Sequence, residues 1–251
     1  MFLRERQDKI VSLVNAEGRV TVTALAERFD VTEDCIRKDL KALSDQGLVR
    51  RVYGGAISVD TKQERNIRKR VTEHADEKRQ IAEKALALIE DGEVIFLDTS
   101  TTNLALAQLM AESRRKITVV SNMIDILQVL GTNDGIMTVG TGGTINIDQN
   151  AFLGAFTMNF LEPIHFDRAF IGVLGVDMET GSALTFELED GLVKALAIKN
   201  SEQSYLMADS HKFGARGSYA YAKLEDFDAA ITVSPSPEVK RLLRRANVDL
   251  V

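Results

Sequence analysis

The stretch "EDCIRKDLKALSDQGLVRRVYGGAI", residues 33–57, changes its periodicity halfway along. Its first half sets Ile36, Leu40 and Leu43 at i, i+4 and i+7, one apolar stripe of a helix, with Arg37, Lys38 and Lys41 projecting off it. Thr32 stands just before that helix as an N-cap residue, its side-chain oxygen suited to the first free N–H groups. The second half alternates and carries Gly54 and Gly55 at a turn, which predicts a short β-hairpin. Upstream, "RERQDKIVSLVNAEG" sets Ile10, Leu13 and Val14 at helical spacing, and "VTVTALAERFD" gives a short helix carrying Leu25, Ala26 and Phe29. Three short helices followed by a basic two-stranded hairpin describe a winged helix-turn-helix.

Such a module reads DNA by placing the start of its last helix near base edges, while basic side chains hold phosphates. Glu33, Asp34 and Arg37 would then lie near base edges, where a carboxylate can accept from cytosine N4. Lys38, Lys41, Arg50 and Arg51 would meet the backbone. The plainer alternative is that these charges only solvate a helix. Net charge is −6, which taken alone argues against nucleic acid. Residues 1–57, however, hold ten Lys/Arg against nine Asp/Glu, a net of +1, which leaves −7 for the remainder. Local patches, not the global sum, set the field a partner meets.

Residues 58–80 are polar and charged with few large apolar side chains, which predicts a linker between a first domain, 1–57, and a second, 81–251. Strand signals then recur in "EVIFLD", "ITVVSN", "GIMTVG", "DRAFIGV", "QSYLMAD" and "DAAITV". Helix signals lie between them at 102–113, 122–130, 151–161, 189–200 and 235–245. This alternation is the pattern of a largely parallel α/β sheet covered by helices. No apolar run is long enough for a membrane span, and the start lacks a signal-peptide stretch. One cysteine among 251 residues suits a reducing cytoplasm. Three histidines, at 74, 165 and 211, show no metal-ligand spacing, so neither a metal nor a cofactor is expected.

In parallel sheets, ligands collect beyond the C-terminal strand ends, where helix N-termini offer free N–H groups. "VIFLDTSTTNLALAQLM", residues 94–110, puts Asp98, Thr99, Ser100, Thr101 and Thr102 at such a place. The hydroxyls suit a phosphate; Asp98 cannot face one and suits sugar hydroxyls instead. Equally, the turn could do no more than cap a helix. Similar loops follow other strands: Ser121 and Asn122 in "VVSNMID", Gly142 and Gly143 in "VGTGGTIN", and Asp209 and Lys212 in "LMADSHKFG". Lys194 in "LEDGLVK" adds a compact cation. Several such loops together point to one shared pocket.

The first segment closely resembles the N-terminal part of the DeoR family of bacterial transcriptional regulators. "IRKDL" at 36–40 matches that family's "IRRDL" helix, and "RRVYGGA" at 50–56 its "RxxGGA" wing. The resemblance continues through "DTSTT", the "SN" pair, the "GG", "DRAFIG" and "ADSHKFG", so it covers nearly the whole chain. It implies a repressor of a sugar or carbohydrate operon whose sensor domain resembles ribose-5-phosphate isomerase. Its partners would be a double-stranded DNA operator, a second copy or more of the chain (dimer or tetramer), and a phosphorylated sugar. Thr99, Ser100, Thr101, Thr102 and Lys194 would hold that sugar phosphate. Thr32, Cys35 and Tyr53 complete the candidate DNA-contacting set. Three positions depart from the family pattern. Cys35 stands where members have Thr, exchanging a hydroxyl for a thiol with redox potential. Ser100 stands where Gly is common, and Asn146 near where many members carry Arg. A sugar-phosphate isomerase, with Asp98, Glu187, Glu189 or Lys194 as acid–base groups, is the alternative enzymatic reading; a purely oligomerising second domain is the other. On sequence alone, Lys194→Ala is expected to weaken phosphate binding and leave effector-free DNA binding intact.

Overall fold

In the computed structural model, which describes residues 3–17, 19–46, 48–58 and 67–251, the chain separates into two units, Met1–Glu64 and Arg65–Val251. The side chains of 15–17, 19, 50, 57, 58, 68 and 69 lie outside that description.

The first unit runs α1 (Leu3–Glu17), β1 (Arg19–Thr21), α2 (Val22–Phe29), α3 (Glu33–Asp45), β2 (Val49–Val52) and β3 (Gly55–Ser58). Ile10 and Val14 of α1, Leu25 of α2, and Ile36, Leu40 and Leu43 of α3 are all buried in one core, so the apolar stripes face one another. Each such side chain contributes about 1.5–3 kcal/mol on leaving water. The hairpin β2–β3 gains a third strand that periodicity did not reveal. β1 is three residues long and pairs antiparallel with β3, giving the order β1-β3-β2. So short a strand has no local signal; pairing with β3 creates it. At the crossing Gly55 is obligatory, because a Cβ there would stand 2.0 Å from the Val20 carbonyl oxygen.

The second unit opens with α4 (Ile67–Thr72) and α5 (Ala75–Leu88). Helices therefore occupy much of the stretch expected as linker, 58–80, of which 59–66 lies outside the described residues. Two side chains tie this polar segment down. Ile67 is buried in the core of the larger unit, and the buried Lys78 ammonium donates to the carbonyls of Arg70 and Glu73 at 2.5 and 2.6 Å, closing the end of α4.

Seven parallel strands follow in the spatial order β15-β14-β12-β9-β4-β5-β6. They are β4 (Val94–Leu97), β5 (Ile117–Ser121), β6 (Ile136–Gly140), β9 (Phe166–Gly172), β12 (Ser201–Met207), β14 (Ala229–Ile231) and β15 (Asp249–Leu250). Alternation sorts their side chains onto two faces. Ile95, Leu97, Val119, Phe170 and Met207 pack with Ile81 and Ala85 of α5 and with Leu106 and Met110 of α6 (Thr101–Ala111). Phe96, Val120, Ala169, Ile171 and Leu206 face the other way, toward Val193 and Ala197 of α9 (Leu188–Lys199) and Leu242 of α10 (Pro237–Arg245). The remaining helices are α7 (Ile124–Leu130) and α8 (Ala155–Leu161).

One helix expectation is corrected. Residues 151–161 begin as strand β8 (Ala151–Leu153), paired antiparallel with β7 (Thr144–Asn146), and turn helical only after Gly154 at φ +90°. A small antiparallel sheet of β10 (Gly175–Val176), β11 (Ser182–Thr185) and β13 (Tyr219–Lys223) completes the unit. No helix among the described residues is long and apolar enough to cross a membrane.

Candidate functional site

Strand register puts the loops named from sequence side by side. Leu97 pairs with Ser121 and Ser121 with Gly140; Leu97 also pairs with Phe170, while Met207 pairs with Gly172 and Ile231. Asp98, Asn122, Thr141, Val173, Ala208 and Thr232, which follow these strands, therefore line one edge of the sheet.

Asp98 is 1% exposed and Lys194 3%, and the two form a buried ion pair. The Asp98 carboxylate also accepts from Asn103 Nδ2 at 2.6 Å and from the Gly172 backbone N–H at 2.9 Å. The Lys194 ammonium lies 3.6 Å from Asp190, whose carboxylate accepts from the Thr185 hydroxyl at 2.7 Å. Burial pushes Asp98 above the ordinary carboxylate range, and Lys194 offsets only part of that rise. Burial alone would depress Lys194, but Asp190 and Asp98 outweigh it and hold the ammonium above its usual value. Tyr221 is raised by burial and then by the same two carboxylates, so its phenol stays neutral and donates to the Gly172 carbonyl at 3.0 Å. Lys194 is thus a clasp between two carboxylates.

In the hydroxyl turn Ser100 is the N-cap of α6, its Oγ accepting from Asn103 N at 3.0 Å. Its φ of −145° suits any residue, so the backbone does not need glycine there. Glycine is needed opposite instead: a Cβ on Gly172 would stand 2.2 Å from Ser100 Cβ. Thr101 and Thr102 are buried in the first turn of α6. Thr99 Oγ1 is buried with no hydrogen-bond partner.

Ser121 Oγ accepts from Met123 N at 3.1 Å, and Asn122 Nδ2 donates to the Phe152 carbonyl at 3.1 Å. Gly142 and Gly143 have φ of +64° and +126°, and a Cβ on Gly143 would meet Thr157 Oγ1 at 2.3 Å. These glycines let the loop approach helix α8 closely. Asn146 is used locally, donating to Glu187 at 2.7 Å and accepting from Gln149 N at 3.0 Å. Asp209 is buried and accepts from His211 N at 3.1 Å, while Lys212 is half-buried.

Two cations that no motif singled out join this edge. Arg70 of α4 has a buried Nε without a hydrogen-bond partner, and burial lowers its pKa while Asp190 and Asp98 attract it. Lys78 is lowered to about 8 by burial and by Lys212, with Asp209 pulling it back. The pairing of Asp190 with Lys194 at i, i+4 was readable within "LEDGLVK". Arg70 had no local signal at all.

In the first unit, Thr32 caps α3 by accepting from Cys35 N at 3.3 Å. Glu33 and Asp34 both clasp Arg37, at 2.6 and 3.0 Å, so the three charges at the start of α3 form one network. Lys38, Lys41 and Arg51 are exposed; the Arg50 side chain lies outside the described residues. Tyr53 is fully exposed at the hairpin tip. The Cys35 thiol accepts from Arg6 Nη2 at 3.1 Å, which turns it toward α1.

Residues 6–62 match the DeoR-like helix-turn-helix domain, and residues 73–234 the DeoR C terminal sensor domain. The HTH-type transcriptional repressor GlcR of Bacillus subtilis (strain 168) is 32% identical, aligned over 100% of this chain and 96% of that protein. The glycerol-3-phosphate regulon repressor of Escherichia coli (strain K12) is 28% identical over 98% of this chain and 97% of its own. Among solved structures, ribose 5 phosphate isomerase A from Neisseria gonorrhoeae aligns over 55% of this chain and 53% of its own, at 20% identity and a TM-score of 0.41.

Proposed function

The chain belongs to the DeoR family of helix-turn-helix transcriptional regulators, and from that premise we propose that it is a DNA-binding repressor of a carbohydrate operon, released or retained by a phosphorylated sugar. One observation carries the effector reading. Buried polar atoms without partners, Thr99 Oγ1, Asn103 Oδ1, Asn122 Oδ1, Asp209 Oδ2 and Thr232 Oγ1, gather along the C-terminal edge of the sheet. Each costs about 1–3 kcal/mol while unpaired, and a polyhydroxyl ligand would satisfy the row.

The charge arrangement moves the phosphate anchor away from Lys194. Asp98 and Asp190 already use that ammonium, and Arg70, Lys78 and Lys212 are the further cations of this edge, Arg70 with a buried Nε that has no hydrogen-bond partner. We assign the phosphate to those three with the hydroxyls of the "DTSTT" turn. The sugar would meet Asn122 and Asp209. Asp98 and Lys194 are held in one buried ion pair, and the DNA-binding unit that precedes them in the chain serves sensing rather than isomerisation.

Arg70 also supplies the coupling. It lies on α4, the first described element after the DNA-binding unit in the chain. An effector that binds one placement of α4 better than another shifts the DNA affinity by that difference and no more. Two half-sites need two heads, so a symmetric oligomer in the cytoplasm is proposed. The exposed apolar side chains of Phe156, Leu188, Leu192 and Tyr219 offer it a contact surface.

The test is thermal unfolding against a panel of sugar phosphates, each beside its parent sugar. A ligand at about 100 times its dissociation constant adds roughly 2.7 kcal/mol. Stabilisation by one phosphorylated compound and not its parent is expected, with the shift lost in Arg70→Ala. Equal shifts from the parent sugar would remove the phosphate from the reading. The same binding should depend on pH. Lys78 is charged below about 8 and neutral above, while the phosphate remains a dianion. Affinity is therefore expected to fall roughly tenfold between pH 7 and 9. A flat profile over that range would take Lys78 out of the site.

A further inference from the structure

Two histidines that sequence spacing left unconnected come together at the corner between α4 and α5. His74 and His211 stack with ring centroids 3.8 Å apart, and Glu77 lies beside them. One ligand-capable atom from each of the three falls within 4.8 Å of the others, and among the described residues theirs is the one such group. We infer that His74, Glu77 and His211 bind a divalent first-row transition-metal ion, with zinc the best match to the donor set.

The chemistry is that of a two-histidine, one-carboxylate site. Zinc holds imidazole nitrogen and carboxylate oxygen at about 2.0–2.2 Å in tetrahedral geometry, which sets ligand atoms roughly 3.3 Å apart. Reaching that spacing takes rotation of the two exposed histidine side chains toward the half-buried Glu77. The stacked rings must open so that both ring planes contain the ion. Both rings are exposed, so little packing opposes that movement. The fourth position is left to water.

Features around the group orient it. The Glu77 carboxylate accepts from Ser210 N at 2.6 Å and Ser210 Oγ at 3.2 Å, which fixes its direction as outer hydrogen bonds do at metal sites. The Asp209 carboxylate accepts from His211 N at 3.1 Å and fixes the turn that carries the second ring. His74 stands at φ +52°, in the left-handed region that histidine, like asparagine and aspartate, adopts more readily than most side chains, and its ring stacks on that of His211. A bound ion would pin the start of α5 to the turn after β12. This inference goes beyond the effector reading and does not depend on it.

The experiment is calorimetric titration of the metal-stripped full chain with Zn2+, repeated with Co2+ to read its ligand-field absorption. One ion per chain is expected, weakened at least tenfold by His74→Ala and again by His211→Ala, with the sugar-phosphate response of the ion-free protein unchanged. Both side chains are exposed, so the variants should retain the parent melting temperature without metal. Absence of binding, or binding that survives the double substitution, would overturn the assignment. So would binding abolished by Cys35→Ser.

Discussion

Lys194→Ala is expected to lower the stability of the larger unit by about 3–5 kcal/mol, the usual cost of stripping one partner from a buried ion pair. The substitution leaves Asp98 and Asp190 facing each other without the ammonium that neutralises both. Asp98 would keep only its bonds from Asn103 and Gly172 N, and burial would drive it toward the protonated form. From sequence alone this variant looked like a clean test of phosphate binding; the buried clasp makes it a stability variant, and Arg70→Ala takes over the cleaner test. Urea unfolding of Lys194→Ala, Asp98→Asn and the double variant would measure the coupling. The double variant should lose less than the sum of the singles by more than about 0.5 kcal/mol. Strict additivity would mean that the two groups do not pair in solution.

Arg6→Ala is expected to unfold the DNA-binding unit while the sensor keeps its own transition. Arg6 is 8% exposed and donates from Nε to Asp39, itself 2% exposed, at 2.6 Å, and its Nη2 donates to Cys35. The hydrogen bond from Arg6 to Asp39 raises the guanidinium above its ordinary value, more than burial lowers it. Removal takes the charged partner from a buried carboxylate and leaves it the longer bond from Gln7 Nε2 at 3.3 Å, again a cost of about 3–5 kcal/mol. A unit of this size has little more than that to lose. Calorimetry of the full chain should show the smaller transition shifted below the working temperature, with DNA affinity lost at low salt. A smaller transition that stays in place, with DNA binding intact, would show that solvent screens the pair.

Much of this molecule was legible in its sequence. The stripe Ile36, Leu40, Leu43, the glycine-bearing wing and the strand–helix alternation are patterns of near neighbours, and near neighbours set helix and strand. The hydroxyl turn was also legible as a place: an apolar strand ending in Asp98 must deliver the next residues to the sheet edge. Ser100 shows the limit. Its role as N-cap follows from local sequence, but its need for Gly172 across the edge does not.

The partners within the site belong to the tertiary structure. Lys194 looked like a phosphate ligand because it is a compact cation on a helix of a domain whose strand-end loops suit an anion. Asp98 reaches it only because β9 lies between β4 and β12 in the sheet, an order the chain does not follow in sequence. Arg70 and Lys78 lay in a stretch read as linker, and Ile67 alone carried the apolar signal that docks it. His74 and His211 meet for the same reason, one at the start of α5 and the other after β12. Periodicity records which face of its own element a residue occupies. Which charge it then meets is decided by strand order, and in a buried site that meeting sets the protonation, the cost of removal and the role.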